Sequence, residues 1–359
     1  MNEPTDTTAA APAPVPLLLD VDTGIDDSLA LLYAAASVDA DLVAVTTCGG
    51  NVELADTTRN TLAVLELAGR TDVEVAMGRP RPIARPLETT PETHGPRGIG
   101  HSDLTTDREP SKRDGPTLIV DEARARPGEL TLVALGPLTN LAVAVLVEPR
   151  LPFLLKRVLV MGGCFARNGN AGARAEWNVH VDPEATKVVL AAWEAAVAEG
   201  APPLELYGLD VTEGVQLYPR HLVALADAAG APLGGEIADA SPEQIMVAGS
   251  ERPIVRFALD ALRFYFEFHA EFDGFYGAFV HDPFVVAAAL DPGLATTRTT
   301  TVDIELGGRL TTEETVADWR NHWGRPANAA VAVAIDAEAF LERLVARVGA
   351  LAAAPSVAT

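Results

Sequence analysis

The sequence predicts an α/β protein with an open, mostly parallel, Rossmann-like sheet that is flanked by helices. Short apolar runs alternate along the chain with longer, Ala-rich segments in which apolar residues recur at helical spacing. Several runs are apolar at every position rather than at every second position, which is typical of strands covered by helices on both faces. Strand followed by helix, repeated, indicates parallel β-α-β units.

The individual elements follow from these runs. The predicted strands are residues 17–19, 42–45, 73–76, 130–135, 157–161 and 204–207. The predicted helices include residues 27–36, 57–68, 138–147 and 183–197. We expect residues 299–306 to form a small C-terminal β extension on the main sheet. Because ligands of parallel sheets bind where the strands end, we expect the functional residues in the turns that follow the runs.

Two long segments, residues 78–116 and 229–253, interrupt the alternation and are rich in Pro and Gly. Loops of this length are uncommon in compact domains unless they bind a ligand or cover a site, so we interpret both as lids. We find no internal repeat or linker that divides the chain. The sequence therefore predicts a single domain over residues 17–350, with a disordered tail at residues 1–16 and a flexible tail at residues 351–359.

Composition excludes several classes of function. The 359 residues include 48% hydrophobic residues, which are enough to bury a large core without disulfides. The 27 Lys and Arg against 50 Asp and Glu give a net charge of −23, and such an acidic surface repels nucleic acid. No apolar run reaches the ~20 residues that a membrane span needs. Cys48 and Cys164 lie within apolar runs, which fits a reducing compartment and predicts a cytoplasmic location.

The most informative stretch is residues 17–28, a predicted strand that leads through a Gly-containing turn into a helix. It places Asp20, Asp22, Asp26 and Asp27 within eight residues. One Asp is enough to cap a helix N-terminus. Several carboxylates in one partly desolvated pocket raise each other's pKa or require a cation. Because all the ligand atoms would be oxygens, Ca²⁺ or Mg²⁺ is favoured over zinc.

A second acidic position lies far along the chain, in the sequence His281-Asp282-Pro283 before an apolar helix at residues 285–290. An Asp-Pro pair alone is typical of a helix start. The adjacent His281 adds chemical meaning, because a neighbouring carboxylate could raise the pKa of its imidazole and make it a proton donor.

Polar side chains also follow two of the predicted strands. Glu176 and Asn178 come after the strand that ends at Met161, and Asn51 follows the strand at residues 42–45. Carboxylates and carboxamides pair well with sugar hydroxyls. The sequence therefore predicts a polyhydroxyl ligand at this edge of the sheet.

Taken in order, these motifs resemble the nucleoside hydrolase family, the inosine/uridine-preferring nucleoside N-ribohydrolases. The resemblance covers most of the chain, from Leu17 to Trp319. It is carried by the Asp-x-Asp-x-Gly-x-Asp-Asp turn at Asp20, Asp22, Gly24, Asp26 and Asp27, and by Gly50-Asn51, His94-Gly95, Gly136-Pro137-Leu138-Thr139-Asn140, Met161-Gly162-Gly163, Glu176-Trp177-Asn178 and His281-Asp282-Pro283.

The resemblance implies hydrolysis of the N-glycosidic bond of a ribonucleoside to ribose and free base, with a tightly held Ca²⁺. By analogy, Asp22, Asp27 and Asp282 ligate the ion through their side chains, and Leu135 does so through its carbonyl oxygen. Asp22 would also take the proton from the attacking water, and His281 is the candidate general acid. Relatives are commonly homodimers or homotetramers, which we expect here as well.

The resemblance also implies a set of substrate contacts. At the ribose these are Asp26, Asn51, Met161, Asn170, Glu176 and Asn178, with Trp177 beside them. At the base they are His94, Tyr265 and His269. Tyr265 and His269 share one face of a predicted helix, because they are four residues apart. The family often has Tyr where this chain has His269, so base preference stays open.

Two other functions remain open at this point. A haloacid-dehalogenase-type, Mg²⁺-dependent phosphatase would use Asp20 as nucleophile, because residues 17–23 also fit an Asp-x-Asp-x-Thr motif. That fold needs a phosphate-binding Lys, and none of the chain's three lysines is at a convincing strand end. A non-catalytic, Ca²⁺-dependent nucleoside- or sugar-binding protein is the second alternative, against which the presence of both Asp22 and His281 argues.

Overall fold

A computed structural model of the protein describes residues 13–233 and 241–355. Its strands are β1 (Val15–Val21), β2 (Ala40–Thr47), β3 (Glu74–Met77), β4 (Thr131–Ala134), β5 (Arg157–Met161), β6 (Leu204–Tyr207), β7 (Gln216–Leu217), β8 (Ala278–Phe279), β9 (Ala295–Thr300), β10 (Val302–Ile304), β11 (Thr315–Ala317) and β12 (Ala329–Ile335).

The helices lie between and around these strands. They are α1 (Ile25–Ala36), α2 (Leu54–Leu67), α3 (Pro91–His94), α4 (Gly115–Ala125), α5 (Thr139–Val147), α6 (Leu151–Leu154), α7 (Trp177–Val181), α8 (Pro183–Ala198), α9 (Leu209–Thr212), α10 (Pro219–Ala228), α11 (Pro242–Met246), α12 (Pro253–Phe272), α13 (Asp282–Leu290) and α14 (Ala337–Ala353). A 3-10 helix, Pro292–Leu294, precedes β9.

An eight-stranded sheet with the order β3-β2-β1-β4-β5-β6-β12-β9 forms the centre of the fold. All neighbouring strands in it run parallel except β9, which pairs antiparallel with β12 at one edge. The first six strands have the order of a doubly wound nucleotide-binding sheet. The predicted α/β class and mostly parallel sheet are therefore confirmed.

Strand β1 shows why its run is apolar at every position. Leu17 and Leu19 belong to the core on one face of the sheet, and Leu18 belongs to the core on the other face. The first core contains residues of α1, α12, α13 and α14, and the second contains residues of α4, α5 and α8. Because both faces are covered, residues 17–21 of the strand are all buried.

The structure corrects several predicted boundaries. Strand β1 begins at Val15 and α14 continues to Ala353, so the predicted limits of the two tails are wrong by two and three residues. The parts of the predicted tails at residues 1–12 and 356–359 lie outside the described residues. None of the described helices has the length and apolar character needed to cross a membrane.

The C-terminal β extension exists, but its strands pair differently from the prediction. Residues 299 and 300 end β9 and belong to the main sheet, whereas β10 pairs with β11 in a separate antiparallel ribbon. Strand β12, which lies between β6 and β9, was absent from the predicted set. Its Ala-rich sequence lacks the bulky β-branched and aromatic run that signals a strand.

Candidate active site

A cavity of about 640 Å³ opens where the parallel strands end. Residues that follow β1, β2, β4 and β5 contribute to its wall, as the topology of such sheets predicts. Most predicted site residues line it: Asp26, Asn51, His94, Leu135, Met161, Asn170, Glu176, Trp177, Asn178, Tyr265, His269, His281 and Asp282. Asp22 and Asp27 lie behind this wall and are fully buried, 1% and 0% exposed.

Asp22 follows β1 and is held between two glycines. Its Oδ2 accepts the backbone N–H of Asn51 at 2.8 Å, and its Oδ1 has no hydrogen-bond partner among the described residues. A Cβ on Gly50 would lie 2.1 Å from Asp22 Oδ2, and a Cβ on Gly136 would lie 2.7 Å from Oδ1. Only glycine permits so close a backbone approach at these two positions.

Asp27 organises the turn between β1 and α1. Its Oδ2 accepts the backbone N–H of Gly24 at 2.9 Å and the side-chain amide of Asn51 at 3.3 Å, and its Oδ1 accepts the backbone N–H of Asp22 at 3.3 Å. These bonds cap α1 and join the turn to the loop after β2. Asp27 therefore acts in part as a helix cap, the role that an aspartate at a helix start ordinarily has.

Four buried carboxylates, those of Asp22, Asp26, Asp27 and Asp282, form what we call the acidic floor of the cavity. Oxygen atoms of Asp26, Asp27 and Asp282 all lie within 4.8 Å of one another. Asp26 and Asp27 are in the first turn of α1, and Asp282 begins α13, which packs against α1. The positive ends of two helix dipoles therefore face the same point, which favours negative charge there.

The four buried carboxylates all have raised pKa values. Burial is the largest cause in each case, and it raises the pKa from 3.8 to about 6 for Asp27 and to about 7 for Asp26. The pKa values of Asp22 and Asp282 are raised well above 3.8, by burial first and then by repulsion from the neighbouring carboxylates. A divalent cation would relieve this repulsion, and the all-oxygen donor set together with the unpartnered Asp22 Oδ1 fits a hard metal ion.

A wall of polar groups lies beside the acidic floor. Glu176 caps α7, and its carboxylate accepts the backbone N–H groups of Gly163, Asn178 and Val179. The side-chain amide of Asn178 donates to the carbonyl oxygens of Leu135, at 2.6 Å, and Met161, at 3.2 Å. A carbonyl oxygen has two lone pairs, and among the described residues only Asn178 donates to that of Leu135, so one lone pair can accept a further partner.

The loop before α7 completes this wall. Asn170 Oδ1 accepts the backbone N–H of Trp177 at 2.9 Å, which holds the loop against the start of the helix. The indole Nε1 of Trp177 is buried and has no hydrogen-bond partner among the described residues. Both side chains line the cavity, as predicted.

The opposite side of the cavity, which we call the aromatic end, is built from rings. The ring centroids of His94 and Tyr265 lie 5.4 Å apart, those of Tyr265 and His269 lie 4.7 Å apart, and those of His269 and Phe279 lie 5.1 Å apart. His94 Nδ1 accepts the backbone N–H of Ile25 at 3.1 Å. Burial, followed by the charge of His269, lowers the pKa of His94 to about 3, so its neutral ring carries the proton on Nε2.

His281 lies between the acidic floor and the aromatic end, and its environment differs from the prediction. Its Nδ1 is 2.8 Å from Thr212 Oγ1, and Thr212 donates its one hydroxyl proton to the Gly208 carbonyl at 3.2 Å. His281 Nδ1 therefore donates, which leaves a lone pair on Nε2 of the neutral ring. Burial, then the charges of His269 and His94, lowers the pKa of His281 to about 3, so the expected rise is wrong.

Of the two predicted lids, the first supplies cavity residues. Thr90, Glu92, Thr93 and His94, which lie in or beside α3, line the cavity. The described residues of the segment 229–253 do not line it, and residues 234–240 lie outside the described part of the chain.

Comparison with known proteins decides the family. The inosine-uridine preferring nucleoside hydrolase family matches residues 17–342. The chain belongs to this family. It is 34% identical to an inosine-uridine preferring nucleoside hydrolase of Crithidia fasciculata, over 91% of this chain and 95% of that protein. It is also 34% identical to a pyrimidine-specific ribonucleoside hydrolase of an Enterobacter species, over 93% and 97% of the two chains.

Solved structures of nucleoside hydrolases share the fold. A plant nucleoside hydrolase has a TM-score of 0.81 and 30% identity, over 94% of this chain and 99% of that chain. A purine-preferring ribonucleoside hydrolase from Gardnerella vaginalis has a TM-score of 0.82 and 27% identity, with the same coverage. As a member of this family, the chain is a metal-dependent hydrolase of the N-glycosidic bond of ribonucleosides.

Membership of the nucleoside hydrolase family excludes the phosphatase interpretation, and Asp20 shows why geometrically. Its Oδ1 accepts hydrogen bonds from Thr46, at 2.6 Å, and Asn140, at 2.8 Å. The side chain is 0% exposed and does not line the cavity. Asp20 is therefore held in the core by these two side chains and is not presented to a substrate as a nucleophile.

Sequence reasoning missed several residues that shape this nucleoside hydrolase site, among them Phe279, Asp273 and Thr212. Asp273 contacts His269 and lies four residues after it at the end of α12, so helical spacing could have revealed the pair. Thr212 contacts His281 from a position 69 residues earlier, and no local pattern signals that contact.

Proposed function

We propose that the protein catalyses Ca²⁺-dependent hydrolysis of ribonucleosides to ribose and free nucleobase. One observation carries the proposal: the buried carboxylates of Asp22, Asp26, Asp27 and Asp282 have raised pKa values, one oxygen of Asp22 has no hydrogen-bond partner among the described residues, and carboxylate and carboxamide side chains line the cavity beside them. Asp22, Asp27 and Asp282 would hold the ion with their side chains, and Leu135 with its free carbonyl lone pair. Asp26, whose carboxylate belongs to the same cluster, is a further candidate ligand.

When bound, Ca²⁺ supplies Lewis-acid activation of water and an anchor for ribose hydroxyls. Asp22 is the general base, because its free Oδ1 can accept the proton of the water that attacks the anomeric carbon. The sugar becomes oxocarbenium-like as the glycosidic bond breaks. The surrounding carboxylates stabilise that positive charge in a site of low polarity.

The polar wall holds the sugar in this proposal. Asp26, Asn51, Asn170, Glu176 and Asn178 would bind the ribose hydroxyls, with Met161 packed against the ring and Trp177 closing the loop side. Glu176 and Asn178 are well suited, because backbone and carbonyl bonds fix both side chains before the substrate arrives. Such preorganisation lowers the entropy lost on binding.

Departure of the base requires the aromatic end. His281 would first take up a proton from solvent on Nε2, because the neutral ring carries hydrogen on Nδ1, and would then pass that proton to the base as the glycosidic bond breaks. His94, Tyr265 and His269 would contact the base. We also propose that the protein is a cytoplasmic homodimer or homotetramer.

Ribose release tests the proposal directly. The purified protein, stripped with a chelator and reloaded with Ca²⁺ or Mg²⁺, would be incubated with inosine, uridine, cytidine and adenosine in the absence of phosphate. We expect reducing sugar and free base in equal amounts from at least one nucleoside, with Ca²⁺ more effective than Mg²⁺. Release that depends on phosphate would indicate a phosphorylase, and binding without release would indicate the non-catalytic alternative.

A further inference from the structure

His269 lies at the aromatic end of the cavity with one ring nitrogen unused. The side chain is 5% exposed, lies in the last turn of α12 and lines the cavity. Its Nδ1 is 2.7 Å from Asp273 Oδ2, and its Nε2 is buried with no hydrogen-bond partner among the described residues. A buried polar atom without a partner is uncommon in a folded protein, and in a cavity wall it indicates that a ligand supplies the partner.

Asp273 occupies a position that helix electrostatics disfavours. It is the C-terminal cap of α12, where the negative end of the helix dipole repels a carboxylate. The Asp273 backbone N–H already donates to the His269 carbonyl at 2.9 Å, so the carboxylate is not needed to end the helix. Its contact with His269 is therefore the feature that explains an acidic side chain here.

The carboxylate determines which nitrogen of His269 carries the hydrogen. Asp273 accepts from Nδ1, because an ionised carboxylate has no hydrogen to give. Burial lowers the pKa of His269 despite the opposing effect of Asp273, which favours the neutral ring. In a neutral imidazole with hydrogen on Nδ1, Nε2 is a hydrogen-bond acceptor.

Because His269 lies away from the acidic floor, its Nε2 would meet the base of a bound nucleoside rather than the ribose. His94 contacts the turn that carries Asp26 and Asp27, Tyr265 packs against His94, and His269 packs against Tyr265 on the far side. Phe268, Phe272 and Phe279 line the cavity around His269. A flat, apolar ligand group with one polar edge fits these surroundings.

We propose that His269 selects nucleobases that present an N–H group, a ring lactam N–H or an exocyclic amine, to the aromatic end, and that Asp273 is the positioning residue that keeps His269 an acceptor. This inference rests on the proposed function, since it takes a ribonucleoside as the ligand of the cavity. It adds the group on the base, a hydrogen-bond donor N–H, that the aromatic end of the site recognises.

Matched nucleosides test the rule. Uridine is compared with 3-methyluridine, and inosine with 1-methylinosine, because each methyl group replaces the lactam hydrogen. For each pair, kcat/KM is measured by release of reducing sugar and Kd by titration calorimetry. We expect the unmethylated member to be favoured about tenfold or more in at least one pair, which is the size of one ordinary hydrogen bond.

Variants of the protein separate the effect of the hydrogen bond from the steric effect of the methyl group. The methyl group has the same size whichever variant is tested, so a change in preference reports the hydrogen bond. His269→Phe keeps a flat ring without the acceptor and should reduce the preference about tenfold. Asp273→Ala should reduce it by less, and Asp273→Asn should restore part of it, because an amide oxygen can still accept from Nδ1. Glu271→Ala is the matched control, since Glu271 is an exposed carboxylate at the same helix end, and it should leave the preference unchanged.

The inference is overturned if His269→Phe and Asp273→Ala keep the wild-type preference, or if both members of each pair lose activity by the same factor. If His269→Phe does not fold, the exposed Asp273 position decides the matter through Asp273→Ala and Asp273→Asn. If the wild-type protein binds nucleosides without releasing ribose, the proposed function fails. In that case the ratio of Kd values still decides the selection rule.

Discussion

The acidic floor and the aromatic end of the cavity are built in different ways. The floor consists of carboxylates from one short turn, Asp22 to Asp27, and one remote residue, Asp282. Each is buried, and backbone N–H groups hold the carboxylates of Asp22 and Asp27. The aromatic end consists of rings from the first lid (His94), from α12 (Tyr265 and His269) and from the segment before α13 (Phe279). The exposed Asp273 caps the C-terminus of α12.

This difference separates chemistry from selectivity. A site that stabilises a cationic sugar needs carboxylates fixed by the strand ends, because small displacements there cost much of the electrostatic effect. Base recognition depends on shape and on single hydrogen bonds, which loops and a helix end can provide in several forms. We therefore expect substitutions in the floor to abolish turnover and substitutions at the aromatic end to change substrate preference.

Removing the charge of Asp22 is the strongest test of the floor. Asp22→Asn should lower kcat by about 10²–10⁴, the contribution usual for a general base. In the presence of a chelator the melting temperature should not fall, because burial makes the ionised carboxylate costly in the folded state. Asp72→Asn, at a side chain that is 66% exposed, is the control for loss of one carboxylate. Wild-type kcat in Asp22→Asn would remove its assigned role.

Calcium should stabilise the floor in a pH-dependent way. Without a cation, the free energy of unfolding should fall as pH rises from about 4 to about 7, because Asp26 and Asp27 have folded-state pKa values raised from 3.8 to about 7 and about 6. Ca²⁺ prefers the ionised carboxylates, so its stabilisation should grow over the same interval and reach about 4 kcal/mol at a thousand times Kd.

Thermal melts at pH 5 and pH 8, with calcium and with chelator, measure this effect. Asp282→Asn is the control and should lose most of the calcium-induced rise in melting temperature. A rise that is larger at pH 5 than at pH 8 would contradict the assignment of the floor as the cation site.

Close packing around Asp22 predicts a further effect at the floor. Gly50→Ala would place a methyl group 2.1 Å from Asp22 Oδ2. Overpacking of this kind costs about 1–3 kcal/mol of unfolding free energy, and the displaced carboxylate should lower kcat as well. Gly172→Ala is the matched control, since a Cβ there meets nothing within 4 Å. Urea denaturation and kcat would be measured for both variants, and equal behaviour would show that the glycine is dispensable.

The smallest expected effect concerns His281 and the base. Thr212→Val removes the partner of His281 Nδ1 and should lower kcat for nucleosides with poor leaving bases about fivefold, the value of one hydrogen bond of about 1 kcal/mol. An activated nitrophenyl riboside should be affected little. Thr186→Val is the matched control, because Thr186 also donates to the carbonyl four residues earlier, at 3.2 Å. Equal losses on both substrates would argue against the leaving-group role.

Much of the fold was predictable because burial on both faces leaves a local signal. The run at residues 17–19 forms the centre of β1, the run at residues 157–161 is the whole of β5, and the Ala-rich segments form helices between the strands. Strand β12 and the pairing of β9 were not predictable in this way. Their places depend on which strand each one contacts, and the local sequence does not encode that partner.

For the site, local patterns and family resemblance identified the residue types, and most of them line one cavity. The protonation of His281 was predicted in the wrong direction. Its neighbour in sequence is a carboxylate, but burial and the other histidines dominate its surroundings in space. Sequence adjacency is a poor guide to the electrostatics of a buried imidazole.

The sequence alone determined that a strand ends in a cluster of aspartates and that this cluster needs a cation, because the like charges are only a few residues apart. Only the tertiary structure decided that Asp282 joins Asp26 and Asp27 within 4.8 Å, and that Thr212 lies 2.8 Å from the ring of His281. These facts depend on the packing of α1 against α13 and on the depth of the cavity. Both arise from contacts between distant segments, which no local pattern contains.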